Sequence, residues 1–136
     1  MKIDDLIYVD DWDFQKVISQ GKILDYDFVI VSNGSHPCCY VGKFNLFVKM
    51  DSDYIEEKIC VHGGITYRSD NFFGTLSFLD KRLNWIGWDY AHGGDCYSFG
   101  NINKGRKWTM KELYEDCCNV VEQLIDLYEK ELKEKR

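Results

Sequence analysis

Three histidines, each beside glycine or in turn sequence, are the residues best suited to chemistry near neutral pH. They stand in Asn33-Gly34-Ser35-His36-Pro37, His62-Gly63-Gly64 and His92-Gly93-Gly94. A neutral imidazole can ligate a metal or move a proton, and an imidazolium can hold a phosphate. Paired glycines let the backbone take positive φ, and N–H groups freed in this way can point at an anion. Asp89 and Asp95 lie three residues before and three after His92. They are placed to orient its ring, or to join it as ligands for a divalent metal such as zinc or manganese. A plain structural reading stands beside this one, because a histidine at a strand end is often a turn residue bonded to its own backbone. H-G-G is not a metal motif of the H-E-x-x-H kind, and no G-x-x-x-x-G-K-[ST] loop is present. The spacing leaves both readings open.

The neighbourhood of these loops is aromatic. Trp85, Trp88, Tyr90 and Tyr97 surround the second HGG segment, and such rings either stack on a base or sugar or fill a core. Strand alternation puts Trp85 on the side of Asp89, so Trp85 is the ring expected to face a ligand. Arg68, Lys104, Arg106 and Lys107 could gather a negative ligand or line a solvated loop. Cys60 precedes His62 by two residues, which places both on one strand face without making a nucleophile–base pair.

The elements that must position these residues are partly legible. From Met110, apolar residues recur at Leu113, Tyr114, Cys117, Val121, Leu124, Tyr128 and Leu132, the stripe of an amphipathic helix. Thr109 and Glu112 form a capping box at its start. Asp11 is expected to cap a short helix carrying Trp12, Phe14, Val17 and Ile18 that Gly21 ends. Asp27 to Ser32, Lys58 to Val61, Thr75 to Leu79 and Leu83 to Tyr90 read as strands of one sheet. Cys39 to Val48 is strand-like with an interruption near Gly42 or Asn45, and Asp51 to Glu57 allows one or two helical turns. The expected architecture is α+β: a mixed or mostly antiparallel sheet packed by the long C-terminal helix, in one domain over residues 1–136.

Composition narrows the function classes. With 136 residues and a formal net charge of −6, the chain is not built for direct binding to DNA phosphates. No run of about 18 apolar residues is present for crossing a membrane, and the acidic start MKIDDLIYVDD is unlike a secretory signal. The six cysteines include two adjacent pairs and no C-x-x-C. Reduced thiols in a reducing cytoplasm are therefore the expectation.

The segments VHGGITY and WIGWDYAHGGD, with Tyr40-Val41-Gly42 upstream, resemble a widespread group of small proteins of phages and mobile elements. That group carries a histidine-glycine-glycine-leucine-threonine motif and a tryptophan-rich strand ending in glycine, an aromatic residue, aspartate and alanine-histidine. The match covers roughly the middle half of the chain and marks His62, Gly63, Gly64, Thr66, Gly87, Asp89, His92 and Asp95 as family positions. Ile65 and Tyr67 replace the usual leucine and phenylalanine, and Gly93 stands where a less flexible residue is usual. The resemblance implies a phage setting, and with it the cytoplasm of a host cell.

Three functions fit these residues. The first is a counter-defence or binding protein, an anti-CRISPR among the options, taking a small anionic, nucleotide-like ligand. Its site would comprise His62, Gly63, Gly64, Thr66, Trp85, Asp89, His92 and Asp95. The second is a metal-dependent phosphodiesterase or hydrolase whose metal is held by His62, His92 and Asp89 or Asp95, its bound water acting as nucleophile. The third is an acidic inhibitor that docks on a host defence nuclease through its charge. Whether the chain is an enzyme stays open at this point.

Overall fold

The computed structural model describes residues 15–33, 36–71, 74–90, 97–99, 102–104 and 108–134. Its strands are β1 (Gln15–Ile23), β2 (Tyr26–Asn33), β3 (Pro37–Lys43), β4 (Tyr67–Arg68), β5 (Asn84–Asp89), β6 (Tyr97–Phe99) and β7 (Ile102–Lys104). Two short helices, α1 (Leu46–Lys49) and α2 (Ser52–Lys58), follow β3, and α3 (Met110–Glu134) closes the chain. The first five strands form one antiparallel sheet in the order β1-β2-β3-β5-β4, and β6 pairs with β7. The fold is α+β, with α3 packed on β2 and β3.

Both faces of the sheet are covered. On one face Phe28, Ile30, Cys39, Val41, Ile86, Trp88 and Tyr90 meet Leu113, Cys117, Val120, Val121 and Leu124 of α3. On the other, Val29, Val31, Cys38, Tyr40 and Trp85 are closed over by Leu79, with Tyr67, Leu76, Phe78 and Leu83 packed alongside. Double coverage explains why β2 reads as an unbroken apolar run rather than an alternating one. α3 starts where its capping box sets it: Thr109 Oγ1 accepts from the Glu112 N–H at 3.2 Å, and Glu112 Oε1 accepts from the Thr109 N–H at 3.1 Å.

Three expected elements take other forms. Val17, Ile18 and Gly21 belong to β1, not to a helix, because β1 pairs along its length with β2 through the two-residue turn Leu24-Asp25. Cross-strand pairing outweighs the weak helical spacing there; Asp11, Trp12 and Phe14 lie outside the described residues. Lys58 ends α2, and Ile59 to Val61 form no strand. The side-chain amide of Gln123 takes the place of a partner strand, accepting from the Cys60 N–H at 2.8 Å and donating to the Cys60 carbonyl at 2.7 Å. Thr75 to Leu79 is a series of turns that drops Leu76, Phe78 and Leu79 onto the second core, and β4 instead occupies the sheet edge beside β5.

The β3–β5 pair is locked by aromatic rings lying over glycines. Tyr40 stands opposite Gly87, and Gly42 opposite Trp85. A Cβ on Gly42 would sit 2.5 Å from the Trp85 indole, and one on Gly87 would sit 2.5 Å from the Tyr40 ring and 3.0 Å from the Cys39 carbonyl oxygen. Each ring fills the space its partner's missing side chain leaves open. The five described cysteines are free; burial pushes the Cys38 thiol up to about 12 and that of fully buried Cys39 well above its ordinary value.

Leu124, fully buried under the sheet, should not tolerate Leu124→Asp. An unpaired charge there costs several kcal/mol, and loss of cooperative melting by circular dichroism is the expected result. Gly87→Ala should cost about 1–3 kcal/mol in a denaturant titration, because the Cys39 backbone cannot yield as a side chain could.

Candidate functional site

The turn at residues 61–64 is shaped for glycine. The Gly64 N–H donates to the Val61 carbonyl at 2.8 Å, closing a β-turn in which Gly63 has φ of 71° and Gly64 follows at 79°. The third position of such a turn needs positive φ, which side chains other than glycine resist. Nothing lies within 4 Å of the point where a Gly64 Cβ would be, so conformation rather than crowding demands glycine there. The turn therefore presents bare backbone to open space.

After the turn the motif reads inward and outward by turns. Ile65 is buried in the core. Thr66 donates its N–H to the Gly87 carbonyl at 2.9 Å and its hydroxyl to Asp89 Oδ2 at 3.2 Å. Thus Thr66 fastens the HGG turn to the end of β5 and holds one oxygen of the half-buried Asp89 carboxylate.

His62 is fixed by rings. Its imidazole lies parallel on Tyr90, with centroids 5.1 Å apart and planes 8° apart, and meets Trp108 edge-on at 4.9 Å. Tyr90 and Trp108 also touch, at 4.9 Å. Tyr90 is the pivot of this cluster. Its hydroxyl donates to Asp116 Oδ2 on α3 at 2.6 Å and accepts from Trp88 Nε1 at 2.9 Å, and its N–H donates to the Pro37 carbonyl at 3.1 Å. Burial, then the neighbouring Cys39 and Asp116, push the phenol far above its ordinary value. It therefore stays protonated and acts as a donor throughout the working pH range.

Of the residues singled out from sequence, His62, Gly63, Gly64, Thr66 and Asp89 converge on one end of β5. His36 reaches that end too, at the start of β3, whose Cys38 pairs with Asp89. Trp85 does not join them. It lies four residues back along β5, about 13 Å away, is 1 % exposed, and donates its indole N–H to the Asp80 carbonyl at 2.8 Å. His92, Gly93, Gly94 and Asp95 lie outside the described residues, as do Arg106 and Lys107. Arg68 is engaged within the protein, ion-paired with Asp53 and, at 3.2 Å, with Glu56.

The two donor types suited to a metal project differently. His62 rests against Tyr90 and Trp108, beside the α3 core, whereas Asp89 follows Trp85 and Gly87 on the other face, and its charge acts on Cys38. Among the described residues no group of three or more histidine, cysteine, aspartate or glutamate side chains is placed to hold a metal. No helix among them is long and apolar enough to cross a membrane.

Trp108 and Asp116 were not legible as site residues. Trp108 precedes a helix cap and reads as loop, and Asp116 looks like one more charge of a solvated helix beside buried Cys117. No protein-family model, curated protein or solved structure matches this chain.

Tyr90→Phe keeps the stacking on His62 but strips Trp88 Nε1 and Asp116 of their common partner. It should lower stability by about 1–3 kcal/mol, measured by chemical denaturation. An unchanged midpoint would mean that water serves both groups equally well.

Proposed function

We propose that the chain is a binding protein for a small, nucleotide-like anion, held at the His62-Gly63-Gly64 turn and the end of β5. The observation that carries this reading is the immobilised imidazole of His62, clamped between Tyr90 and Trp108 on the flank of a turn whose glycine backbone faces open space. A pre-set ring loses little freedom on binding, so its contact with a ligand is cheap in entropy. Imidazolium and turn backbone suit a phosphate. The Asp89 carboxylate, with Thr66 on one oxygen, suits the hydroxyls of a ribose, the role an acidic residue plays in dinucleotide sites.

The phage setting suggested by the HGGIT and WIGWDYAH segments belongs to the same proposal. A nucleotide-binding accessory protein of a phage would act by removing a host defence signal. Against the hydrolase set that uses Asp89, a metal shared with His62 would have to span the two faces of the sheet; His92 and Asp95, the other ligands of that alternative, lie outside the described residues.

Amide spectra recorded while adenosine monophosphate, guanosine monophosphate or a cyclic dinucleotide is added should show shifts centred on His62, Gly63, Gly64 and Thr66. Inorganic phosphate alone should bind more weakly. His62→Ala and Asp89→Asn should each weaken the best nucleotide by about tenfold, near 1.4 kcal/mol. Absence of saturable shifts at these amides for every nucleotide, or shifts unchanged in His62→Ala, overturns the reading.

A further inference from the structure

The sheet end remote from the HGG turn carries two open clefts, of about 420 and 360 Å³. Lys22, Asp27 and Asp80 line both, so the two run into one groove. Strands β1 and β2 border it together with the turn at residues 80–83. That turn is held firmly: the Leu83 N–H and the indole N–H of buried Trp85 both donate to the Asp80 carbonyl, at 3.2 and 2.8 Å. Lys43 borders the groove as well, but its ammonium lies 4.7 Å from the Tyr26 ring centroid, on the α3 side of the sheet.

The charges within the groove come as pairs. Lys22 Nζ donates to Asp27 at 2.9 Å. Asp80 accepts from the Arg82 backbone N–H at 2.9 Å, from Nε at 3.0 Å and from Nη2 at 2.7 Å. Those bonds hold the Asp80 carboxyl down at about 2, so it stays an ionised acceptor. Asp25 adds one more carboxylate from the β1–β2 turn. Ion pairs this exposed add little to stability. What they provide is a fixed array in which each cation keeps unused donors and each carboxylate keeps unused lone pairs.

An aromatic ring stands at each part of the groove. Phe44 lines the larger cleft and is 64 % exposed. Phe78 lines the other, half-buried and held edge-on against Tyr40 with centroids 5.5 Å apart. Phe44 buries little within the chain, so its ring is spare apolar surface beside a polar array. An ion of either sign would meet its own charge again a few ångströms on, and a wholly apolar ligand would strip water from the ion pairs without replacing it. A neutral polyhydroxylated molecule meets neither penalty. Each of its hydroxyls both donates and accepts, bonds to charged partners are the stronger kind, and the C–H face of a sugar ring can rest on an aromatic one.

We propose that this groove binds a short, neutral saccharide chain. Its hydroxyls bridge the Lys22–Asp27 and Arg82–Asp80 pairs, and one sugar ring lies against Phe44. Because the array is already fixed by Trp85 and by its own pairing, little freedom is lost on binding. The site is separate from the HGG turn, and its occupancy does not depend on the nucleotide reading of that turn.

Amide spectra recorded during addition of maltotriose, cellotriose or tri-N-acetylchitotriose test this, and the separate titrations tell a glucan from an amino-sugar source. At least one should give saturable shifts centred on Lys22, Asp27, Phe44, Asp80 and Arg82, with Gly63 and Gly64 unmoved. Raising the salt to about 0.5 M should leave the affinity unchanged, because the ligand carries no charge to screen. Phe44→Ala, at an exposed position that the fold does not need, and Asp80→Asn should each weaken the best sugar by about tenfold. The proposal is overturned if none of the three sugars shifts these amides, or if Phe44→Ala binds as well as the parent. It is also overturned if blocked tri-aspartate or tri-lysine binds the same amides more tightly than every sugar, which would make the groove a peptide site.

Discussion

The contact on which the rest depends is the reciprocal seating of two aromatic rings over two glycines across β3 and β5. Tyr40 over Gly87 and Trp85 over Gly42 fix the register of the central strand pair. A slip of one residue would drive each ring into a side chain and turn every buried position outward. Correct register puts Trp88 and Tyr90 beneath α3, and it puts Asp89 beside Thr66. The geometry of the HGG end is thus inherited from packing that lies elsewhere in the sheet. It also gives Tyr40, Gly42 and Gly87 a physical meaning: Tyr40 is one of the two rings, and Gly42 and Gly87 are the seats.

What could be read from the residues alone divides along physical lines. The long helix was legible because its stripe and capping box are local. β2 and β5 were legible from apolar runs bounded by turns. Ile59 to Val61 misled because an extended segment usually means a strand, and nothing local shows that a glutamine amide 63 residues away will take the place of its neighbour. Thr75 to Leu79 misled in the opposite sense: its apolar residues cover a sheet face without belonging to a sheet. The glycine turn was legible from residue type and spacing, whereas Thr66 was marked only by the resemblance and its bond to Asp89, at that end of the site, had no signal in the sequence. Trp85 was assigned to that end by alternation, which gives the face correctly but not the position along the strand.

Tyr90 links fold and site more tightly than its place in the sequence suggests. It is buried between sheet and helix, and its ring supports His62 while its hydroxyl joins Trp88 to Asp116. A site residue held by a core residue cannot be tuned independently of stability. Substitutions that loosen α3 against the sheet should therefore blur the position of the imidazole before they unfold the chain.

The clasp of Gln123 on the Cys60 backbone also bears on the order of events in folding. The backbone N–H and carbonyl of Cys60 find their partner on α3, at the far end of the chain, so the extended segment leading into the HGG turn is fastened there only by a distant residue. During synthesis or refolding it must wait for the last helix, paying a long loop closure before it is held. In the native state the same dependence runs in reverse. Any fluctuation that lifts the middle of α3 frees the turn with it, so helix and turn should open to solvent exchange as one cooperative unit.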